Sequence, residues 1–458
     1  MGRNTDLLVE QATSKSPRDG STNSENKAWI RIDQILTLAG LVNPGLGNCT
    51  KWIPRVVITF FFMFHCAIII NLVLVLHLGI SGKRTIAWAE WFQLCFDTLV
   101  TFIVFIDFLL YLYRVYPILP EMQRLFDQSD PEIQLKCQIN ERNMFLFTSI
   151  VIIPGAVYCY LMRIVCGIPK GEIQLAYNYE QKANPQKQLP FILWLPVDDT
   201  VPPTYYIMLV YNVLFLFVGA IMTFHLLSYL EIISIHFYGY SETIAKSLHQ
   251  LGTSGTPWSY HLTTSISNAL GEVSSASGER HGKVAFSRSD RDKSPMSVEE
   301  LRCFEDVKTI LKQYQQYLLV RNKFTEAIKV SILIKNSVLN IISTVCLYQL
   351  SSVKLQASTY TSFQMVIQYL IIVCITFCIS HSSELLDSGN DLVYKSLADN
   401  QWYNLRPDIA KLLIPMICVA TRPKRFIYFG GTVDISNRSF LAVMRFSYSV
   451  FTLLKNVI

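Results

Sequence analysis

Seven apolar segments divide this chain, and each is long enough to cross a lipid bilayer as a helix. Such a crossing takes about 20 consecutive apolar residues. Charged residues make up only 16% of the sequence, whereas soluble proteins have about 25%. The alternating ten-residue segments that are typical of a membrane barrel are missing. The sequence therefore predicts an all-α membrane protein with spans at residues 54–79, 86–112, 144–168, 204–230, 326–350, 362–386 and 436–454.

The distribution of lysine and arginine predicts the orientation of these spans. Most of the two residue types fall in the N-terminal segment and in every second loop, and the remaining loops carry few. Positively charged loops stay in the cytoplasm. The first span begins too far into the chain for a signal peptide. We therefore predict an inverted topology with a cytoplasmic N-terminus and an extracellular C-terminus, in which the glycosylation sequon at Asn48 is unused.

The hydrophilic segments predict a helical anchor on the cytoplasmic side. Residues 299–329 carry one apolar stripe, which indicates a helix that extends span 5 into the cytoplasm. A second apolar helix, Asp408 to Val419, is too short for a crossing. The predicted organisation is a cytoplasmic segment 1–53, spans 1 to 4 in 54–230, a loop 231–325 with a flexible insert at about 252–297, spans 5 and 6 in 326–386, a cytoplasmic anchor helix region 387–435, and the last span in 436–458.

Motifs of enzymes and of metal sites are missing from the sequence. It has no Gly-rich phosphate loop, no H-E-x-x-H, no G-x-S-x-G and no paired C-x-x-C. Most of the 11 cysteines lie in apolar runs, where they are expected to pack as small hydrophobic side chains. The net charge of +6 is spread over the loops, so it reflects topology rather than nucleic-acid binding. We predict no enzymatic activity, no cofactor and no metal.

The C-terminal quarter contains the most specific text in the chain: Trp402-Tyr403, Arg422-Pro423, Gly430, Ser436 with Phe440, and the ending S-Y-S-x-F-T-L-L over residues 447–454. This text resembles the insect odorant receptor family. The resemblance implies a ligand-tuned subunit of an odorant-gated, non-selective cation channel, which forms a hetero-tetramer with the odorant receptor co-receptor. It further implies a small volatile organic ligand and a place in the plasma membrane of sensory neurons.

The same resemblance implies a ligand pocket among spans 2, 3, 4 and 6 in the outer half of the membrane. The outer ends of these spans carry aromatic and methionine side chains with a few polar groups. Such a cavity suits a volatile molecule, because buried apolar surface contributes about 25 cal/mol per Å2. Plain helix packing is the alternative role of each side chain. The candidate ligand-binding residues are Trp91, Phe92, Tyr158, Met162, Tyr206, Met208, Asn212, Phe215 and Tyr369.

The last span is the candidate pore helix. One face of it repeats at steps of three and four residues, from Phe440 to Leu454. An apolar ring at the narrow end of a pore gates by dewetting. By resemblance, Phe451 takes the position of the family's gate. Helix packing is the alternative role of this face. The candidate pore residues are Val443, Ser447, Phe451 and Leu454.

Other polar residues in the spans, and other receptor classes, complete the prediction. Asp107 and Glu384 are expected to make structural contacts near the cytoplasmic side, and Arg445 is expected to face protein or water. A gustatory receptor of the same superfamily is the main alternative, although the glutamine typical of its C-terminal text is missing. A G-protein-coupled receptor would need an outside N-terminus, and a transporter would need internal repeats.

Overall fold

The structure is a computed structural model of the whole chain, and it describes part of the sequence. Most of span 1, most of span 2, the N-terminal segment and the predicted insert lie outside the described residues. The described residues are seven single helical positions between 59 and 73, together with 102–165, 201–253, 298–352, 359–400, 402, 405–422, 425–428 and 433–457.

Helices dominate the described part of the chain. Helix α1 covers residues 102–110 and continues into a π-helical segment, Tyr111–Val115, and a short 3-10 segment, Tyr116–Ile118. The remaining elements are α2 (Leu119–Phe126), α3 (Pro131–Val165), α4 (Thr204–Thr253), α5 (Val298–Ser352), α6 (Thr359–Asp399), α7 (Pro407–Ala420), β1 (Phe426–Tyr428), β2 (Val433–Ile435) and α8 (Asn437–Val457).

Local sequence signals explain where several helices begin. Pro131 and Pro407 occupy first helical positions, where a missing N–H costs nothing. Asp130 precedes α3, and its Oδ1 accepts a hydrogen bond from the Glu132 amide at 2.9 Å. Before α8, the Ser436 amide donates to Ser439 Oγ at 2.8 Å, and the Ser439 amide donates back to Ser436 Oγ at 3.3 Å. This reciprocal pair fixes the point at which the last helix starts.

Two helices predicted outside the apolar spans are present as helices. The stripe at residues 299–329 forms one helix with span 5, because α5 is continuous over 55 residues. The short apolar helix is α7. Within the described residues, the helices Phe102–Phe126, Glu300–Leu347 and Val366–Asp399 are long and apolar enough to cross a membrane. Helix α8 has 21 residues, which is about 31 Å of helix and close to the thickness of the hydrocarbon layer.

The long helices pack around a single large hydrophobic core. Helix α6 packs against α4 along much of its length, α3 packs against α4, and α5 packs against both α6 and α8. The inner part of this core is aromatic. Tyr317 stacks on Tyr240 at 5.9 Å between ring centroids, and Phe237 meets Tyr317 edge-on. Burial raises the pKa of Tyr240 to about 12, so its phenol stays neutral at physiological pH.

A short antiparallel hairpin lies between α7 and α8. Phe426 pairs with Ile435, and Tyr428 pairs with Val433. Our sequence analysis treated 387–435 as a helical region and missed these strands. The available signal was Gly430-Gly431 between two short β-prone runs.

Candidate functional site

The C-terminal half of α6 makes hydrogen bonds that position the hairpin and the end of α7. Ser383 Oγ accepts a hydrogen bond from the Phe426 amide at 3.0 Å. Asp387 Oδ2 accepts one from Arg425 Nε at 2.6 Å. Hydrogen bonding to this carboxylate raises the pKa of Arg425. Asn390 Nδ2 donates to the Ala420 carbonyl at 2.6 Å, at the end of α7. Through these contacts, α6 positions both elements that lead into the candidate pore helix.

Two of the candidate ligand residues on α4 face the protein. Asn212 is fully buried, and its Nδ2 donates to the Met208 carbonyl at 2.8 Å. Its Oδ1 has no hydrogen-bond partner within the described residues. Met208 packs against the main hydrophobic core. Tyr206 is 57% exposed and points away from that core, so the structure does not bring it together with Met208 and Asn212.

Tyr369 on α6 connects the candidate ligand residues with the last helix. Its ring packs against the main core, and its hydroxyl lies 4.0 Å from Met444 Sδ on α8. The preceding residue, Gln368, is buried, and its Oε1 has no hydrogen-bond partner among the residues described. Our sequence analysis missed Gln368. The signal was an amide side chain in an otherwise apolar run of span 6.

For the other candidate ligand residues, the structure describes no side-chain positions. Trp91 and Phe92 lie outside the described residues. Tyr158 and Met162 lie on α3 and Phe215 lies on α4, and the description there covers the helix alone. Their roles as ligand contacts stay predictions.

The two faces of α8 differ in burial within this chain. The face predicted to line a pore is the packed one, since Ser447 is 1% exposed and Val443 and Phe451 are partly buried. The opposite face is open, with Tyr448 at 66% exposed. Arg445 lies on this open side. Leu454 lies on the helix, at a position where only the backbone is described.

A buried acid in the middle of α4 joins that helix to α6. Glu231 contacts Nδ1 of His381, and Ser382 Oγ donates to the other oxygen of the same carboxylate. The His381 ring stacks on Phe377 at 5.7 Å, and Phe377 meets Phe440 of α8 edge-on at 5.7 Å. A chain of contacts therefore runs from α4 through α6 to α8. Our sequence analysis did not single out Glu231, which follows directly after span 4.

Comparison with known proteins decides the family. The sequence model of the 7tm odorant receptor family matches residues 89–448. The chain belongs to this family. The match confirms the resemblance found in the C-terminal text, and it identifies the chain as an odorant receptor of the membrane. No curated protein sequence matches this odorant receptor.

Solved structures of an insect olfactory receptor share the fold. The olfactory receptor OR5 from Machilis hrabei superimposes with a TM-score of 0.57 at 11% sequence identity, over 94% of this chain and 98% of that one. The same receptor in complex with eugenol gives a TM-score of 0.57 at 11% identity, over 94% of this chain and 97% of that one. At this identity the likeness establishes that the odorant receptor has the same fold.

Proposed function

We propose that this odorant receptor is a ligand-tuned subunit of an odorant-gated, non-selective cation channel, and that it works as a hetero-tetramer with the odorant receptor co-receptor. Its place is the plasma membrane of sensory neurons. Family membership supports the receptor role. The similar receptor from Machilis hrabei binds eugenol, which supports a small volatile organic ligand for this chain.

One observation carries the proposal: the contact between Tyr369 and Met444. It joins a candidate ligand residue on α6 to the candidate pore helix α8, with 4.0 Å between hydroxyl and sulfur. A ligand that displaces the Tyr369 ring therefore acts on α8 without any intermediate element. Among the residues that the structure describes, the amide oxygens of Asn212 and Gln368 have no hydrogen-bond partner. Each can accept a hydrogen bond, which supports a ligand that carries a hydroxyl group.

The pore wall is proposed on α8, and burial favours its open face. A pore on the axis of a tetramer needs helix faces that a single chain leaves uncovered. Ser447 and Val443 instead pack within their own chain. The open face carries Leu441 and Tyr448, and Phe451 lies at its edge. We therefore move the proposed ion path from the stripe of Ser447 to the face of Tyr448.

Topology is part of the proposal. Seven spans with the N-terminus inside place the long loop and α7 in the cytoplasm and the end of α8 outside. An epitope added after Ile458 should bind antibody on intact cells, and Asn48 should carry no sugar. Antibody binding only after permeabilisation, or a glycan at Asn48, would overturn this topology.

Current recording tests the function. Oocytes that express the chain with the co-receptor are exposed to a panel of volatiles that includes eugenol, and cation current is measured. We expect odour-evoked current only when both subunits are present. Absence of current over a broad panel, or G-protein signalling from the chain alone, contradicts the proposal.

A pair of substitutions on α6 sharpens this test. Tyr369→Ala removes the contact with Met444, so we expect the concentration for half-maximal current to rise by about tenfold, which corresponds to about 1.4 kcal/mol. Leu370→Ala, at the neighbouring exposed position, is the matched control and should leave the response unchanged. Equal responses from the two variants would remove the role assigned to Tyr369.

A further inference from the structure

An ion pair is buried in the apolar bundle. Lys335 Nζ on α5 lies 2.9 Å from Asp107 Oδ1 on α1, and the two side chains are only 2% and 3% exposed. Ser331, one turn earlier on α5, donates its hydroxyl to the same oxygen. Both charges lie within predicted membrane spans. Charged residues are rare there because their desolvation is expensive, and they commonly serve a function.

Aromatic side chains of α4 complete this cluster. The Lys335 ammonium lies over the Tyr229 ring, 5.5 Å from its centroid. His225 stacks on Tyr229 at 5.3 Å, and the Tyr111 ring meets His225 edge-on at 4.2 Å. One charge pair therefore joins α1, α4 and α5. Helix α4 also carries Met208 and Asn212, which lie near its N-terminus.

Two details distinguish the pair from a static packing contact. The second carboxylate oxygen, Asp107 Oδ2, has no hydrogen-bond partner in the part of the chain that is described. One turn after Asp107, the helix changes from α to π over Tyr111–Val115. Segments of π-helix within longer helices are frequent at functional sites. The pair thus lies beside an irregular point of the α1 backbone.

Lys335, one member of the pair, lies on α5, and α5 contacts the candidate pore helix α8. Helix α5 is continuous from Val298 to Ser352, and it packs against α8. A displacement of α5 at Lys335 is therefore passed along a rigid element to the wall of the proposed pore. Any movement of α5 relative to α1 must also separate two buried opposite charges, which is strongly opposed in a medium of low dielectric constant.

We propose that Asp107 and Lys335 are positioning residues for gating: their ion pair fixes α5 relative to α1 and so sets the equilibrium between conducting and non-conducting states. This inference rests on the proposed channel function. Neither residue touches the odorant. Their effect is on the odorant concentration at which the channel opens, and on the fraction of current that flows without odorant.

The test is current recording from oocytes that express full-length variants with the co-receptor, using the volatile that gives the largest wild-type current. Asp107→Asn and Lys335→Met each break the pair. Both should shift the concentration for half-maximal current in the same direction, by about tenfold. Because both remove the same contact, the double variant should shift it no further than the larger single shift. Lys335→Arg keeps the positive charge and should stay within about threefold of wild type.

Controls separate positioning from loss of folding. Lys329→Met changes an exposed lysine of α5 whose partner is Glu326, and it should behave as wild type. Surface biotinylation gives the amount of each variant. A merely structural role would lower that amount and the maximal current and leave the half-maximal concentration unchanged. Additive shifts in the double variant, or half-maximal concentrations unchanged in both singles, overturn the inference.

The remaining outcomes are also decisive. If the neutral variants do not reach the surface, the exchanged pair, Asp107→Lys with Lys335→Asp, keeps the attraction and should conduct; delivery to the surface without current would refute the positioning role. If wild type gives no odour-evoked current, the channel function itself fails, and the inference fails with it. A normal wild-type response with unshifted variants rejects the inference alone.

Discussion

The inner bundle, formed by the C-terminal half of α4, the N-terminal half of α5 and the C-terminal half of α6 together with α7, contrasts with α8. The inner bundle covers its own apolar surface. Phe237, Tyr317 and Phe324 are fully buried within one chain. Helix α8 leaves Phe446, Tyr448 and Leu453 exposed along one side. Both regions belong to the same polypeptide, and only one of them is complete in a single copy.

This contrast separates two functions of the chain. A region whose core is filled by its own side chains folds without partners and holds the remaining helices in place. When a helix has a continuous exposed face, that face is covered only by further subunits, by lipid or by water. The inner bundle should therefore respond to mutation through stability, and the open face of α8 should respond through current.

The largest effect is expected for Tyr317→Ala in the inner bundle. The substitution removes a buried ring that contacts Phe237, Tyr240 and Tyr314, and such a loss costs about 3–5 kcal/mol. It also removes the hydroxyl that accepts a hydrogen bond from the buried Arg321 at 3.3 Å. We expect a clearly lower melting temperature of the purified receptor complex, measured by fluorescence-detected size-exclusion chromatography.

The matched control for that variant is on the same helix. Leu319→Ala changes a side chain that is 57% exposed. We therefore expect the free energy of unfolding to change by no more than about 0.5 kcal/mol. If the two variants had the same melting temperature, the inner bundle would not be the self-contained core described above.

A moderate effect is expected where α3 and α4 approach most closely. A Cβ added at Gly239 would overlap Cys137 Sγ, and overpacking of this kind costs about 1–3 kcal/mol. Gly239→Ala should therefore lower the melting temperature. Cys137→Ala removes the obstructing sulfur, so the double variant should melt above the Gly239→Ala single variant. A double variant that melted no higher would place the strain elsewhere.

The Cys137 thiol offers a second measurement of the same region. Burial is the main reason that the pKa of Cys137 is raised to about 12, so the thiol is neutral and shielded in the folded protein. A maleimide at pH 7 should label Cys137 only as the α3–α4 contact opens, and labelling should be faster in Gly239→Ala. Rapid labelling of the folded wild type would contradict this packing.

The smallest effect on stability is expected on the open face of α8. Tyr448→Ala should change the free energy of unfolding by no more than about 0.5 kcal/mol and should alter the odour-evoked current. Ser447→Phe tests the opposite face, where overpacking should lower stability by about 1–3 kcal/mol. A Ser447→Phe variant that melts as wild type but conducts poorly would return the ion path to the stripe first predicted from the sequence.

Much of the helical architecture follows from the sequence, whereas most side-chain pairings do not. The apolar stripe at 299–329 predicted the cytoplasmic extension of α5, and the run from Asp408 predicted α7. Periodicity defines the faces of a helix. It does not say which face of a distant helix comes opposite, so the partner of Asp107 was not predictable. The hairpin was missed because three-residue strands are too short to show a period.

The candidate site shows the same division. Sequence reasoning selected Met208, Asn212 and Tyr369 because polar and adaptable side chains stand out in apolar spans, and their roles as ligand contacts stay predictions. It also selected Tyr206, whose side chain the structure turns outward. Gln368 was overlooked because the sequence alone does not distinguish a buried amide side chain from one that faces lipid.

The sequence by itself determined that this odorant receptor is a helical membrane protein, since hydropathy and helical period depend only on local order. Only the tertiary structure decided which charges meet and which face of α8 stays open. Both depend on distances between segments far apart in the chain. The cost of a buried charge is set by the partner that folding brings to it, as Lys335 is brought to Asp107.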